Sequence, residues 1–269
     1  MNSRIHHGTA LITGASSGIG AVYADQLARR GYDLILVARD QQRLAALAGE
    51  LSANTGRNVV TMKADLSVTA DLRSIEQRLA TDSSITMLVN NAGLGATKSL
   101  IDSDPLDLDL LITLNALALT RLTRAVAPGM VARGKGTIIN ISSIVAVAPE
   151  LLNGAYAGTK AYVLALTHSL QHELSAKGVQ VQAVLPGAIN TRFWDRAGLP
   201  ASNLPSEIVM TPEDLVDAAL AGLDQGELVT IPSLPNLADW TQFENARLAL
   251  GPNLSRRKPA TRYKNMTNF

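Results

Sequence analysis

The chain has no cysteine among its 269 residues. That excludes disulfides, thiol nucleophiles and thiolate metal sites, and it leaves the redox compartment open. Aromatic residues are scarce, at 4%. A strong net charge is also missing: 24 basic residues stand against 23 acidic ones, for a balance of +1. This speaks against a broad electrostatic footprint for nucleic acid or an anionic membrane surface. The one basic cluster, Arg256, Arg257 and Lys258, is short and reads as a solvated tail. No segment approaches the roughly 18 uninterrupted apolar residues of a membrane span. The start of the chain, with Arg4, His6 and His7, runs straight into an apolar strand. It lacks the longer apolar stretch and small-residue cleavage site of a signal peptide. A cytoplasmic location is the expectation.

What the chain does have is a regular alternation of apolar runs and amphipathic stretches. Strands are expected at Thr9–Thr13, Asp33–Ala38, Asn58–Lys63, Thr86–Asn90, Gly136–Ser142, Val179–Leu185 and Glu227–Ile231. Most are nearly continuous apolar runs, as parallel strands buried on both faces require. Helices are expected at Ile19–Arg30, Gln41–Thr55, Ala70–Ala80, Leu106–Val131, Ala155–Lys177 and Pro212–Gln225. Several stop at a glycine, and Thr211-Pro212 makes a cap followed by a first-turn proline. The pattern predicts an α/β fold of Rossmann type: a doubly wound, seven-stranded parallel sheet with helices on both faces. No linker or repeat divides the chain, so one domain over residues 1–269 is expected. Two stretches break the rhythm. Residues 189–210 are rich in Pro, Asn and Ser, follow a strand directly and make a candidate substrate lid. Residues 232–269 form a C-terminal extension with one helix, Asn236–Leu250.

The first strand runs into Thr13-Gly14-Ala15-Ser16-Ser17-Gly18-Ile19-Gly20, and a helix follows. Gly14 allows a tight turn, Gly18 a close approach of backbone to a diphosphate, and Gly20 close helix–strand packing. The helix N-terminus then offers free N–H groups and a positive dipole end to phosphate. The glycine spacing has one residue more in its first gap than the common dinucleotide fingerprint. After the second strand stands Ala38-Arg39, where an NAD site usually carries a carboxylate for the ribose hydroxyls. The missing acid and the available guanidinium favour NADP(H), whose extra phosphate Arg39 can pair. Asp40 is still able to reach a ribose, so NAD(H) stays possible.

Further along come Asn90-Asn91-Ala92-Gly93, Asn115, Ser143, Tyr156-x-x-x-Lys160 and Pro186-Gly187, with Thr191 close behind. Tyr156 and Lys160, four apart on a helix, share one face. A free tyrosine, with its pKa of about 10, is a poor proton shuttle at neutral pH, and a neighbouring ammonium is expected to lower that value. In order and spacing these motifs resemble the short-chain dehydrogenase/reductase family, single-domain subclass, over about residues 8–235. The resemblance implies a catalytic set of Asn115, Ser143, Tyr156 and Lys160. In it Ser143 positions a substrate carbonyl, Tyr156 gives or takes the proton, and Lys160 binds the nicotinamide ribose and tunes Tyr156. Asn115 supports a water-mediated relay to Lys160. Ser143 is preferred to Ser142 because the family's serine stands thirteen residues before its tyrosine. The implied cofactor contacts, besides Gly14, Gly18 and Gly20, are Ser16, Ser17, Ile19, Arg39, Asp65, Leu66, Asn91, Ala92, Gly93, Tyr156, Lys160, Pro186, Gly187, Ile189 and Thr191. Asn90 is expected to brace the sheet.

The implied reaction is hydride transfer between NADP(H) and a ketone or aldehyde and its alcohol. Reduction of a C=C or C=N bond on the same scaffold, and a non-catalytic NADP(H)-sensing protein, are the alternatives. The partner is then a small carbonyl or alcohol molecule. Leu94, Ala146, Val147, Leu152, Phe193 and Trp194 are candidate apolar walls for it, and Phe193 and Trp194 either close over substrate or anchor local packing. His168 and His172 are four apart on a helix but lack a third ligand, so no metal is expected. The resemblance also implies a homodimer or homotetramer through the two long helices. Ala161, Leu164, Ala165 and His168 serve either that contact or packing on the sheet.

Overall fold

A computed structural model describes residues 6–194 and 203–263. Arg4 and residues 195–202 of the expected lid lie outside the described residues. Two compact units result, Met1–Pro232 and Ser233–Phe269.

The first unit is built on β1 (Thr9–Thr13), β2 (Asp33–Ala38), β3 (Val59–Lys63), β4 (Ile85–Asn90), β5 (Gly136–Ile141), β6 (Val179–Val184) and β9 (Val229–Thr230). They form one sheet in the order β3-β2-β1-β4-β5-β6-β9, and all neighbouring pairs are parallel. Every residue of β1 is buried, which is what its unbroken TALIT run demands between two helical layers. One layer holds α1 (Gly18–Arg29), α2 (Gln41–Thr55) and α7 (Pro212–Asp224). It encloses a core that includes Ile12, Leu36, Leu27, Leu44 and Leu220. The other holds α3 (Thr69–Thr81), α5 (Leu119–Arg133) and α6 (Gly154–Leu174). It covers Leu11, Val37, Leu88, Ile138, Leu122 and Leu170. Strand order reverses between β1 and β4, so the carboxyl ends there open a crevice, the usual place for a ligand in such sheets.

The expected helix over Leu106–Val131 is interrupted. It comprises α4 (Pro105–Ile112), a π-helical turn at Thr113–Ala118 and α5. By length and composition alone Pro105–Arg133 is apolar enough to cross a membrane. Yet α5 buries Leu122, Val126 and Met130 in the core beside α3 and the sheet, which accounts for its apolar content. The expected Thr211 cap forms: its hydroxyl accepts from the Asp214 N–H at 3.0 Å. The sequence reading missed a second, two-stranded parallel sheet, β7 (Ala188–Ile189) with β8 (Val209–Met210). It joins the two ends of the expected lid.

The second unit contains α8 (Leu237–Ala249), capped by Asn236, with Trp240 stacked on Phe243. None of its described residues is buried.

Candidate active site

A cavity of about 430 Å³ opens at the carboxyl ends of the strands. At one end lies the glycine-rich turn. Gly14 and Gly18 adopt positive φ, +66° and +55°, which only glycine takes without strain. Ser17 caps α1 without a side-chain hydrogen bond, so the first N–H groups of the helix stay available at the cavity wall. Thr13 and Asn91 tie this turn to the end of β4. The Thr13 hydroxyl accepts from the Asn91 and Ala92 N–H groups, both at 3.0 Å, and the Asn91 amide donates to the Thr13 carbonyl at 2.9 Å. Gly20, expected among the cofactor contacts, does not line the cavity. A Cβ there would stand 2.5 Å from the Gly14 carbonyl oxygen, so Gly20 supports the turn from behind.

Beyond the turn, Ala38, Arg39 and Asp40 form the wall with Ala64, Asp65, Leu66 and Ser67. Arg39 pairs with Asp65 at 3.6 Å and is about half exposed. Burial pushes the Asp65 carboxyl up, but bonds from the Ser67 hydroxyl and N–H and the nearby Arg39 outweigh it and hold the group below its usual range. Asp40 is occupied elsewhere: it caps α2 through the Arg43 N–H and pairs with the Arg43 guanidinium. Arg39 is the cation of this Arg39–Asp65 pair in the wall. An uncapped helix start, a close-approaching glycine turn and a guanidinium in one wall suit a dinucleotide with an additional phosphate.

The other end carries the titratable side chains. Tyr156 and Lys160 lie on α6, 5% and 6% exposed, with the Lys160 ammonium 5.8 Å from the centre of the Tyr156 ring. Asn153 starts this helix by accepting from the Ala155 and Tyr156 N–H groups, and its amide donates to the Lys98 carbonyl at 2.6 Å. The sequence reading missed it, although an asparagine just before a helical run is a cap signal. Lys160 Nζ donates to the Ile141 carbonyl at 2.9 Å, which holds it at the end of β5. Ser143 follows that strand; its hydroxyl donates to the Pro186 carbonyl at 3.3 Å and accepts from the Val145 N–H at 3.3 Å, and it stands near enough to the Tyr156 phenol to favour the phenolate. Ser142 donates instead to the Lys160 carbonyl at 2.7 Å, so the two serines divide the work as successive residues of an extended chain do.

Both titratable groups are moved toward their neutral forms. Burial pushes the Tyr156 phenol up to about 12, with the neighbouring Ser143 hydroxyl acting in the opposite sense. Burial also pulls Lys160 down to about 8. The expected lowering of Tyr156 by Lys160 is therefore not what the site has. Desolvation penalises both charged forms.

Asn115 sits in the π-helical turn, 2% exposed, and does not line the cavity. Its side chain accepts from the Leu94 N–H at 2.8 Å and donates to the Leu94 carbonyl at 2.9 Å and to the Thr159 hydroxyl at 3.1 Å. A Cβ on Gly93 would lie 3.1 Å from Asn115 Oδ1 and 3.7 Å from Lys160 Nζ, so Asn115 backs the part of the wall formed by Gly93 and Lys160. Thr159 in turn donates to the Tyr156 carbonyl at 2.8 Å. Asn115 thus braces the loop after β4 against α6. Asn90 braces deeper, its amide donating to Asn140 at 2.9 Å and to Thr123 at 3.0 Å.

The remaining contacts expected from the sequence, Ser16, Ile19, Gly93, Pro186, Gly187, Ile189 and Thr191, line the same cavity. Of the expected apolar walls, Leu94, Phe193 and Trp194 line it; Ala146, Val147 and Leu152 do not, and Leu110 and Leu114 take their place. The displaced residues lie in and after the 3-10 turns that follow β5, outside the crevice.

A family model described as short chain dehydrogenase matches residues 8–199. The chain is similar to the solved structure of a short-chain dehydrogenase from Sphingobium yanoikuyae in complex with NADPH. The two share 49% identity over 95% of this chain and 99% of that one, with a TM-score of 0.93. It is also similar to a bulky-bulky ketone specific alcohol dehydrogenase from Comamonas testosteroni, at 44% identity over 96% and 99% of the two chains and a TM-score of 0.89. Among curated relatives, a very-long-chain 3-oxoacyl-CoA reductase from Anas platyrhynchos is 34% identical over 78% of this chain. The chain spans 59–67% of the length of the first three such relatives. The chain belongs to the short-chain dehydrogenase/reductase family of oxidoreductases.

Proposed function

We propose that the protein reduces a ketone or aldehyde to its alcohol with NADPH, and that Tyr156 donates the proton. The observation that carries this reading is the buried Tyr156 phenol, beside Ser143 and backed by Lys160, in the same cavity as the start of α1, whose first N–H groups no side chain caps. A phenol pushed up to about 12 is fully protonated at neutral pH, so it is ready to donate. Hydrogen bonds from Tyr156 and Ser143 to one carbonyl oxygen stabilise the negative charge that develops there during reduction. As Tyr156 gives up its proton, the Lys160 ammonium, held by the Ile141 carbonyl, offsets the charge left on the phenolate. When bound, the nicotinamide supplies the hydride. Asn115 keeps Leu94 and Thr159 in place around this pair, and a water relay ending at Lys160 restores the proton.

Arg39 supports NADP(H) over NAD(H), since it offers the extra phosphate a guanidinium in exchange for its present partner, Asp65. The NADPH complex of the Sphingobium relative supports the same preference. Leu94, Leu110, Leu114, Phe193 and Trp194 favour a carbonyl with apolar substituents. The Comamonas relative's activity on bulky-bulky ketones agrees with such a wall. Pairing of copies through α5 and α6 completes the proposal. Ala165 and Tyr162 are exposed on α6 for that contact, whereas Leu164 is buried.

The test is a spectrophotometric screen of ketones and aldehydes with NADPH. Carbonyl-dependent loss of the reduced-nicotinamide absorbance, abolished in Tyr156→Phe, is expected. NADPH binding with no carbonyl consumed across the screen supports a sensing protein instead.

A further inference from the structure

Phe193 and Trp194 are two of the few aromatic residues in the chain, and they do different things. Trp194 is anchored: it is buried, and its indole N–H donates to the Ile189 carbonyl at 2.9 Å. Phe193 stands edge-on to it, with ring centres 5.6 Å apart, and reaches over to Tyr156, with ring centres 6.0 Å apart. Its backbone N–H donates to the Thr191 hydroxyl at 3.3 Å, which fixes the direction the ring takes from the chain. The tip of the ring ends on Gly95. A Cβ at position 95 would stand 2.3 Å from Cζ, 2.7 Å from Cε1 and 3.0 Å from Cε2 of Phe193. Gly95 has no positive φ, so its backbone does not require glycine. The space taken by the ring does.

We propose that Gly95 and Phe193 act as one steric selector. The missing side chain at 95 seats the Phe193 ring at the substrate end of the cavity, and the seated ring sets how wide a carbonyl substituent can approach Tyr156. This rests on the carbonyl-reductase reading and names the pair that tunes it. Phe193 touches Tyr156 and lines the cavity, while Gly95 acts only through the ring it admits. The clash is between two side-chain positions rather than backbone, so its consequences disappear when either partner is small. A residue pair that merely packed would show such coupling in stability but not in the choice between substrates.

The experiment is a double-mutant cycle read on kcat/KM for a wide diaryl ketone over a narrow methyl ketone. Phe193→Ala is expected to raise that ratio roughly tenfold or more, the scale of a reshaped apolar pocket. Gly95→Ala is expected to change the ratio by a comparable factor in the parent, and by less than about twofold when Phe193 is already alanine. Equal effects of Gly95→Ala in both backgrounds, or an unchanged ratio in Phe193→Ala, overturn the proposal. If Gly95→Ala does not fold alone, Phe193→Leu carries the activity arm and the double variant the structural one. A second readout needs no turnover. In a Trp240→Phe background, Trp194 is the remaining indole, and its emission reports the ring above it. Gly95→Ala is expected to shift that emission only while Phe193 is present, and no shift contradicts the seat. A parent that consumes neither ketone defeats the reductase reading, while the emission arm still decides the seat.

Discussion

The two ends of the cavity are made differently. The nucleotide end is main chain: glycines at positive φ, the free N–H groups of α1, and the Thr13–Asn91 ties that hold β1 to β4. The proton end is side chain: Ser143, Tyr156 and Lys160 are all buried, with Ser143 held by the Pro186 carbonyl and Lys160 by the Ile141 carbonyl. A backbone site tolerates little variation in shape but needs only one charged group, Arg39, to choose its ligand. A side-chain site depends on chemistry, so one deleted hydroxyl can disable it while the fold persists.

The sharpest way to break that contrast is Tyr156→Phe. Loss of a positioned general acid costs about 10²–10⁴-fold in rate, and NADPH affinity should stay within a few-fold of the parent because the nucleotide end is untouched. Steady-state rates together with a fluorescence titration of NADPH check both halves of the statement; equal loss of binding and turnover would erase the distinction between the ends. Arg39→Ala tests the other end. A charge-assisted contact is worth about 1.5–3 kcal/mol, and the half-exposed position of Arg39 argues for the lower figure, so KM for NADPH should rise roughly tenfold with kcat and the KM for NADH little changed.

The smallest expected effect concerns pH and stability without cofactor. An unfolded lysine keeps its proton up to 10.5, whereas Lys160 in the fold releases it at about 8. Between those values the unfolded chain binds more protons, so stability rises with pH across the window and is lost as pH falls through about 8. Lys160→Met removes this contribution. Its thermal midpoint relative to the parent should be most favourable near neutral pH and decline by a few degrees toward about pH 10. A difference independent of pH would mean that Lys160 is not buried as a strained base.

Much of this architecture was legible because parallel strands must be apolar throughout and helices must stop. Thr9–Thr13, Asp33–Ala38 and Gln41–Thr55 carry the same bounds in the sequence reading and in the fold. Most of the motif residues likewise line one cavity, since their order along the chain follows the order of strand ends, while Gly20 and Asn115 stand outside its lining. What could not be read has physical causes. The π-helical turn at Thr113–Ala118 leaves no compositional mark, because one extra residue per turn hardly alters an already apolar run. The β7–β8 ladder has two residues a side, too few for any periodicity. The direction of the Tyr156 shift depends on how deeply two helix faces sink into the cavity wall, a tertiary quantity that spacing does not carry. Gly95 is a different case. It stands two residues after Gly93, in plain view, but its purpose emerges only once the Phe193 ring lies over it.

The central claim, reduction of a carbonyl with Tyr156 as proton donor, is tested most directly by following the hydride itself. NADPH carrying deuterium on its transferring face is incubated with a ketone that the parent consumes, and the product is analysed by mass spectrometry. The account predicts deuterium on the carbinol carbon with the parent and no labelled alcohol above background with Tyr156→Phe. Labelled alcohol formed by Tyr156→Phe at the parent's rate, or alcohol formed by the parent without the label, would contradict it.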